Sequence, residues 1–320
     1  MATPSYSDTT VRRDLMDVIG VSYANDAKLM QTPLVEMGAP GDLTGVSIYW
    51  ATRKIFQDSQ AGQAIGISTN LDADTKVFSD YKMPIIQRGR AVNLDQIQND
   101  ILGRNDSDAD LVQAISEASA QYLNYSMVKH ANGVGLFLEN EGTNINDTGA
   151  TVLAFGDIAD TMAKRGEYGN RSKIIMTHSA VYWHYVSLGF VTYANATIDE
   201  AKRADIVTRG DIGTIVGAFF YTDDNIVTNG SDYYALICEP NSLMVRLNTT
   251  PYIKMVSSTD TIGEKVQFYN RFALKFKNIA WTASDSDIIT DTDLATLGNY
   301  ELAESDVKYV PMTVLRGPLA

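Results

Sequence analysis

The stretch Ser107-Asp-Ala-Asp-Leu-Val-Gln-Ala-Ile-Ser-Glu-Ala-Ser-Ala-Gln-Tyr-Leu-Asn-Tyr-Ser-Met-Val-Lys-His-Ala-Asn132 decides the architecture. Leu111, Ile115, Ala118, Tyr122 and Tyr125 recur at alternating steps of four and three, which keeps them on one face of an α-helix. Ser107-Asp-Ala-Asp110 offers acceptors to the free amides of a first turn, and Asn132-Gly133 predicts the stop. Such a helix runs about 39 Å. That is long for one layer of a small domain and suits a spine against which other elements pack.

Upstream of the spine the pattern is extended. Residues 1–43 begin polar, allow a short helix near Asp14 to Gly20, and then bunch Pro33, Gly38, Pro40 and Gly41. That punctuation disfavours a packed element and predicts an arm lying over another surface. From Val46 to Phe56 apolar and polar positions alternate as in a strand, residues 57–81 are polar, and Met83 to Leu94 is extended again. Two strands bracketing a long polar tip predict a projecting β-hairpin, which buries too little alone and calls for a second subunit. Arg53, Lys54, Lys82, Arg88 and Arg90 gather positive charge there, on a chain of formal net charge −13, and are candidate contacts to a neighbour's carboxylates.

Downstream, helix and strand alternate. Thr151 to Arg165 and His178 to Leu188 read as helices, with Ser179 helping to cap the second. Lys173-Ile-Ile-Met176, Gly213 to Thr222 and Tyr233 to Cys238 read as strands, followed after Pro251 by Lys265 to Tyr269 and Phe272 to Trp281, and finally Lys308 to Leu315. No repeat of fixed period occurs. The class is α+β.

Composition removes several functions. With 45% apolar and 20% charged residues the chain can bury a large core, while its acidic balance offers no footprint for tight duplex binding. The lone Cys238, set in Tyr-Tyr-Ala-Leu-Ile-Cys, reads as a core strand residue. The start lacks a basic, apolar secretory pattern, and no apolar run approaches the ~20 residues that cross a bilayer, so neither export nor a membrane is expected. Asn-x-Ser/Thr triplets such as Asn146-Asp-Thr148 therefore carry no weight.

Chemistry is equally sparse. His130, His178 and His184 have no metal-ligand spacing. Asp106, Asp108, Asp110 and Glu117 fall at positions 1, 3, 5 and 12 of a calcium loop, but Leu111 stands where that loop requires glycine; a charged helix start is the simpler reading. Asp285-Ser-Asp287 and Asp291-Thr-Asp293 read as solvated loop acids. Phosphate-cradling glycine loops and the nucleophile elbow are missing from the sequence, so no cofactor, metal or catalytic residue is expected.

Three strings in this order resemble the coat proteins of tailed bacteriophages, a fold shared with encapsulins and herpesvirus shells. They are Lys173-Ile-Ile-Met-Thr-His-Ser-Ala-Val-Tyr182, Gly213-Thr-Ile-Val-Gly-Ala-Phe-Phe-Tyr-Thr-Asp-Asp224 and Asn270-Arg-Phe-Ala-Leu-Lys-Phe-Lys-Asn-Ile-Ala-Trp281. The resemblance implies an N-terminal arm (1–43), an extended loop (44–92), a peripheral domain (93–139 with 251–320, carrying the spine helix 107–132) and an axial domain (140–250). It further implies a non-enzymatic major capsid protein that self-assembles, as pentamers and hexamers, into an icosahedral shell. Its setting would be the virion, assembled in host cytoplasm. A separate scaffolding protein, a portal and a decoration protein would be its partners, with packaged DNA touched only indirectly. Rival readings are an encapsulin-like compartment and a ligand-binding or adhesive protein.

Overall fold

Strand alternation builds two sheets, and one long helix joins them in a single core. The computed structural model describes residues 27–38, 41, 43–53, 78–95, 107–142, 144–188, 214–215, 218–248, 252–257, 263–286, 288–303 and 309–319. The first sheet contains β1 (Val35–Met37), β2 (Ser47–Arg53), β3 (Phe78–Asp95), β10 (Leu243–Leu247), β11 (Tyr252–Ser257) and β12 (Gly263–Phe276). Its order is β1-β10-β12-β3-β2, with β11 also on β12. The second contains β4 (Ile145–Asp147), β5 (Ile174–Thr177), β6 (Thr214–Ile215), β7 (Ala218–Thr222), β8 (Thr228–Asn229), β9 (Asp232–Cys238) and β15 (Met312–Pro318). Its order is β4-β15-β9-β5-β7-β6, with β8 also on β9. A small ribbon pairs β13 (Ile279–Trp281) with β14 (Tyr300–Leu302). The helices are α1 (Ser107–Asn140), α2 (Phe155–Ala163), α3 (Ser179–Ser187) and α4 (Asp291–Ala295).

The second sheet shows how period-two alternation makes layers. Met176, Leu236, Cys238, Met312 and Val314 face α1, in one cluster with Leu123, Met127, Val134 and Leu138 and with Leu274 and Phe276 of the first sheet. Their neighbours Ile175, Ala235, Ile237 and Leu315 face the other way, against Ile158 of α2 and Val181, Tyr182 and Tyr185 of α3. Arg316 fastens β15: its guanidinium reaches Glu139 and Asp232, each at 2.7 Å, and Tyr234 donates to the same Glu139 at 2.8 Å.

The spine helix differs from its expectation in length and face. It continues to Asn140, about 51 Å from end to end. Asn132-Gly133 is not a stop, because both residues serve lateral packing. Buried Asn132 donates to the Asn225 carbonyl at 2.7 Å and accepts from the Val227 amide at 3.2 Å. A Cβ at Gly133 would lie 2.1 Å from the Leu294 carbonyl, so glycine lets α4 approach. The terminating glycine is Gly142, at φ +65°. The buried face carries Leu123, Met127, Ala131, Val134 and Leu138, not the tyrosines. Ala118 is buried, but Tyr122 is 45% exposed and Tyr125 half-buried with Lys129 over its ring; the tyrosines mark the rim, where an amphipathic ring keeps its hydroxyl wet. The side chains of Leu111 and Ile115 lie outside the described residues.

Other expectations shift locally. Residues 27–38 pack into the subunit's own core: Ala27, Leu29 and Leu34 are fully buried, and β1 pairs in parallel with β10. The punctuating Pro33 turns the chain into that strand, and the Leu29 amide is taken up by Asn124 at 2.8 Å. The short helix expected at Asp14 to Gly20 lies outside the described residues. Thr214–Ile215 folds back on Ala218–Thr222 as a second strand instead of extending one. A turn with Asn278 at φ +63° separates β12 from β13, where one strand was expected. The cap of α3 is His178, whose Nδ1 accepts from the Ala180 amide at 3.1 Å, whereas Ser179 turns to Asp224. Residues 107–117 are helical, so they do not follow the path of a calcium loop. By pairing, β15 belongs to the second sheet and β10 to the first, so the sheets cut across the divisions at 140 and 251.

Candidate functional site

At the root of the β2–β3 hairpin, two cations of β3 meet carboxylates from a segment about two hundred residues downstream. Strand β3 is 18 residues long because it serves two partners in succession. Phe78 to Pro84 pairs with β2, and Ile85 to Asp95 pairs with β12. Pro84 stands at the change, where its missing amide leaves no donor unpaired. Beneath the change a small apolar cluster of Leu43, Met83, Ile85 and Ala273 seals the root.

Three side chains of β3 reach into the segment 283–303. Tyr81 donates its hydroxyl to the Ala303 carbonyl. Lys82 donates to the Ala283 carbonyl at 2.5 Å and meets Asp285 at 3.0 Å. Arg88 donates to the Ile289 carbonyl at 2.6 Å and to Asp291 at 2.7 Å, while Ser126 of α1 donates to the same carboxylate oxygen at 3.2 Å. The loop acids Asp285 and Asp291 are thus ion-paired, not merely solvated. Asp293 bridges Thr290 in a capping box at the start of α4, and those hydrogen bonds hold its carboxyl below the usual range.

Of the candidate contact residues, Lys82 and Arg88 therefore have partners on their own chain. Arg90 sits in β3 opposite Phe268 and Arg53 ends β2, their side chains lying outside the described residues together with Lys54. The acceptors could not be read from sequence, because about two hundred residues separate each pair and no local pattern links them. Asn124 and Ser126, which bind Leu29 and Asp291, were likewise hidden as ordinary polar positions of a helix.

The geometry offers little to bond-making chemistry. His178 and Ser179 both face Asp224: Ser179 donates to it, and the His178 Nε2 stands 3.7 Å from the same oxygen. The carboxylate lies between serine and histidine, so the imidazole is not placed to take the hydroxyl proton. The Ser179 hydrogen bond also lowers the pKa of Asp224. His130 and Cys238 are buried in apolar surroundings; burial lowers the first to about 3 and pushes the second up. No cluster of metal-ligating side chains occurs among the described residues, nor any described helix long and apolar enough to cross a membrane. Large apolar side chains do reach the surface, notably Trp183 at 55% and Ile288 at 69% exposure.

Solved structures share this arrangement of elements. The capsid of Ralstonia phage GP4 aligns at TM-score 0.58 and 8% identity, over 93% of this chain and 89% of that one. The capsid of a native GTA particle aligns at 0.55 and 12%, over 92% and 90%. This chain has the phage capsid fold. A third example, the acid-stable capsid of Helicobacter pylori bacteriophage KHP30, aligns at 0.55 and 9% over 89% and 87%. No protein-family profile and no curated protein sequence matches the chain. What the phage capsid fold shares at such identities is backbone arrangement.

Proposed function

We propose that this chain is the major capsid protein of a tailed bacteriophage, a structural subunit that assembles with copies of itself into the icosahedral shell around the genome. One observation carries the reading: about nine-tenths of the chain aligns with about nine-tenths of subunits from phage capsids. A shared core alone would leave large parts of either chain unmatched. The exposed Trp183 and Ile288 suit a subunit whose surfaces are buried on assembly. Many weak contacts repeated over a lattice give collective stability without any single tight interface.

On this reading pentamers and hexamers form the shell, a scaffolding protein guides them, a portal occupies one vertex, and a decoration protein is a further partner. The net charge of −13 lets packaged DNA slide along the wall instead of adhering. The protein works in the virion after assembly in host cytoplasm, and its role is structural, not enzymatic. Electron microscopy and sedimentation of the purified chain, alone and with a scaffolding protein, test the proposal. Shells, tubes or capsomers are expected; a compact monomer under every condition refutes it.

A further inference from the structure

The hairpin root raises a mechanical question that the ladder alone does not answer. Beyond Pro84, strand β3 loses β12 and keeps only β2, and among the described residues β2 has no other partner. A two-stranded ribbon extending from a sheet edge twists freely unless something grips it. The grip comes from the β13–β14 ribbon. Tyr81 bonds to Ala303, which follows β14, and Lys82 bonds to Ala283 and Asp285, which follow β13. Since β13 and β14 are antiparallel, with Trp281 opposite Tyr300 and Ile279 opposite Leu302, those two points lie at opposite ends of the ribbon. One bond would act as a pivot. Two, at opposite ends of a crossing ribbon, fix an angle.

We infer that Tyr81 and Lys82 are positioning residues for assembly: they set the direction of the hairpin in the free subunit, so that it meets a neighbouring copy of this chain already oriented. Arg88, which lies on the half of β3 still paired with β12, holds the segment 289–291 that follows a few residues later. The inference rests on the shell reading. It assigns Lys82 a task inside its own subunit, distinct from a direct contact with a neighbour.

When only a fraction of subunits holds the competent hairpin direction, apparent affinity falls by that fraction. Lys82→Met and Tyr81→Phe, singly and together in the full chain, remove the grip while keeping the apolar stems. Expected are faster hydrogen exchange in the amides of Ser47–Arg53 and a rise of about tenfold in the threshold concentration for assembly, for a competent population cut to about a tenth. The melting temperature should stay well above the assay temperature, and Lys82→Arg should restore the threshold. A merely structural lysine would shift melting and leave the threshold of the folded protein alone. Wild-type and double-variant protein assembling at one threshold overturns the inference and leaves the shell reading intact. Wild-type protein that never assembles overturns both. If the double variant does not fold, Tyr81→Phe alone decides, because it removes one oxygen and leaves the ring.

Discussion

Replacing Gly133 by alanine sets two opposing effects against each other at one position of α1. In an unhindered helix the change gains up to about 1 kcal/mol of propensity. Here the new Cβ would lie 2.1 Å from the Leu294 carbonyl oxygen and 2.6 Å from the Tyr300 ring, so α4 and the ring must retreat by roughly 1 Å. That retreat loads a bonded chain in which Tyr300 donates to Leu294 at 2.5 Å and accepts from His130 at 2.9 Å. Overpacking costs about 1–3 kcal/mol, and two strained hydrogen bonds add about 1 kcal/mol each. After subtracting the propensity gain, a net loss of about 2–4 kcal/mol is expected. Gly156→Ala is the control: it lies in α2 with nothing within 4 Å of its Cβ and should be neutral or stabilising. Urea unfolding of the unassembled subunit, followed by tryptophan fluorescence, measures both; Trp281 sits 5.3 Å from Tyr300 and reports on the site. Gly133→Ala as stable as wild type would refute the close-approach reasoning and return Gly133 to the role of a tolerated helix glycine.

The His130 imidazole, lowered by burial from 6.5 to about 3, should make the subunit acid-sensitive. The unfolded chain takes the proton first, so this contribution is complete above pH 6.5 and is lost as pH falls toward 3, about 2 kcal/mol of it by pH 5. His130→Phe, which keeps a ring stacked on Phe276, should reduce the fall in urea midpoint between pH 7 and pH 5; an unchanged fall would contradict the assignment. Cys238, buried and with its thiol pKa pushed up, should resist a thiol-specific reagent in the native subunit and react at once in denaturant, and rapid native labelling would show the strand end to be open. Arg316→Met leaves Asp232 and Glu139 without their guanidinium and should cost about 2 kcal/mol, read as a lower urea midpoint; no change would mean that β15 is held by its ladder alone.

Period and composition carried much of this structure. Short unbroken apolar runs in Lys173-Ile-Ile-Met and in Tyr233 to Cys238 marked buried strands, and the four-and-three spacing from Leu111 to Tyr125 marked a long helix. Tyr122 and Tyr125 misdirected the choice of face. Their spacing suggested a core face, whereas the core side of α1 is lined by Leu123, Met127, Ala131, Val134 and Leu138. Gly133 was misread for a related reason: a glycine needed for close approach looks like a glycine needed for a turn until its neighbour, 161 residues away, is known. The hairpin root was visible as a cluster of cations, but their acceptors were not, since a carboxylate and a backbone carbonyl two hundred residues distant leave no local trace.

The place of β15 has a consequence for the order in which the chain completes itself. Residues 312–318 are inserted between β4 and β9, and β4 has no other ladder neighbour among the described residues. On a ribosome, everything up to β14 can emerge while the second sheet still has an open slot, and β4 waits some 165 residues for the strand that holds it. Synthesis itself then acts as a timer. The sheet closes only once residues 312–318 have left the exit tunnel, so β4 is fixed late in synthesis.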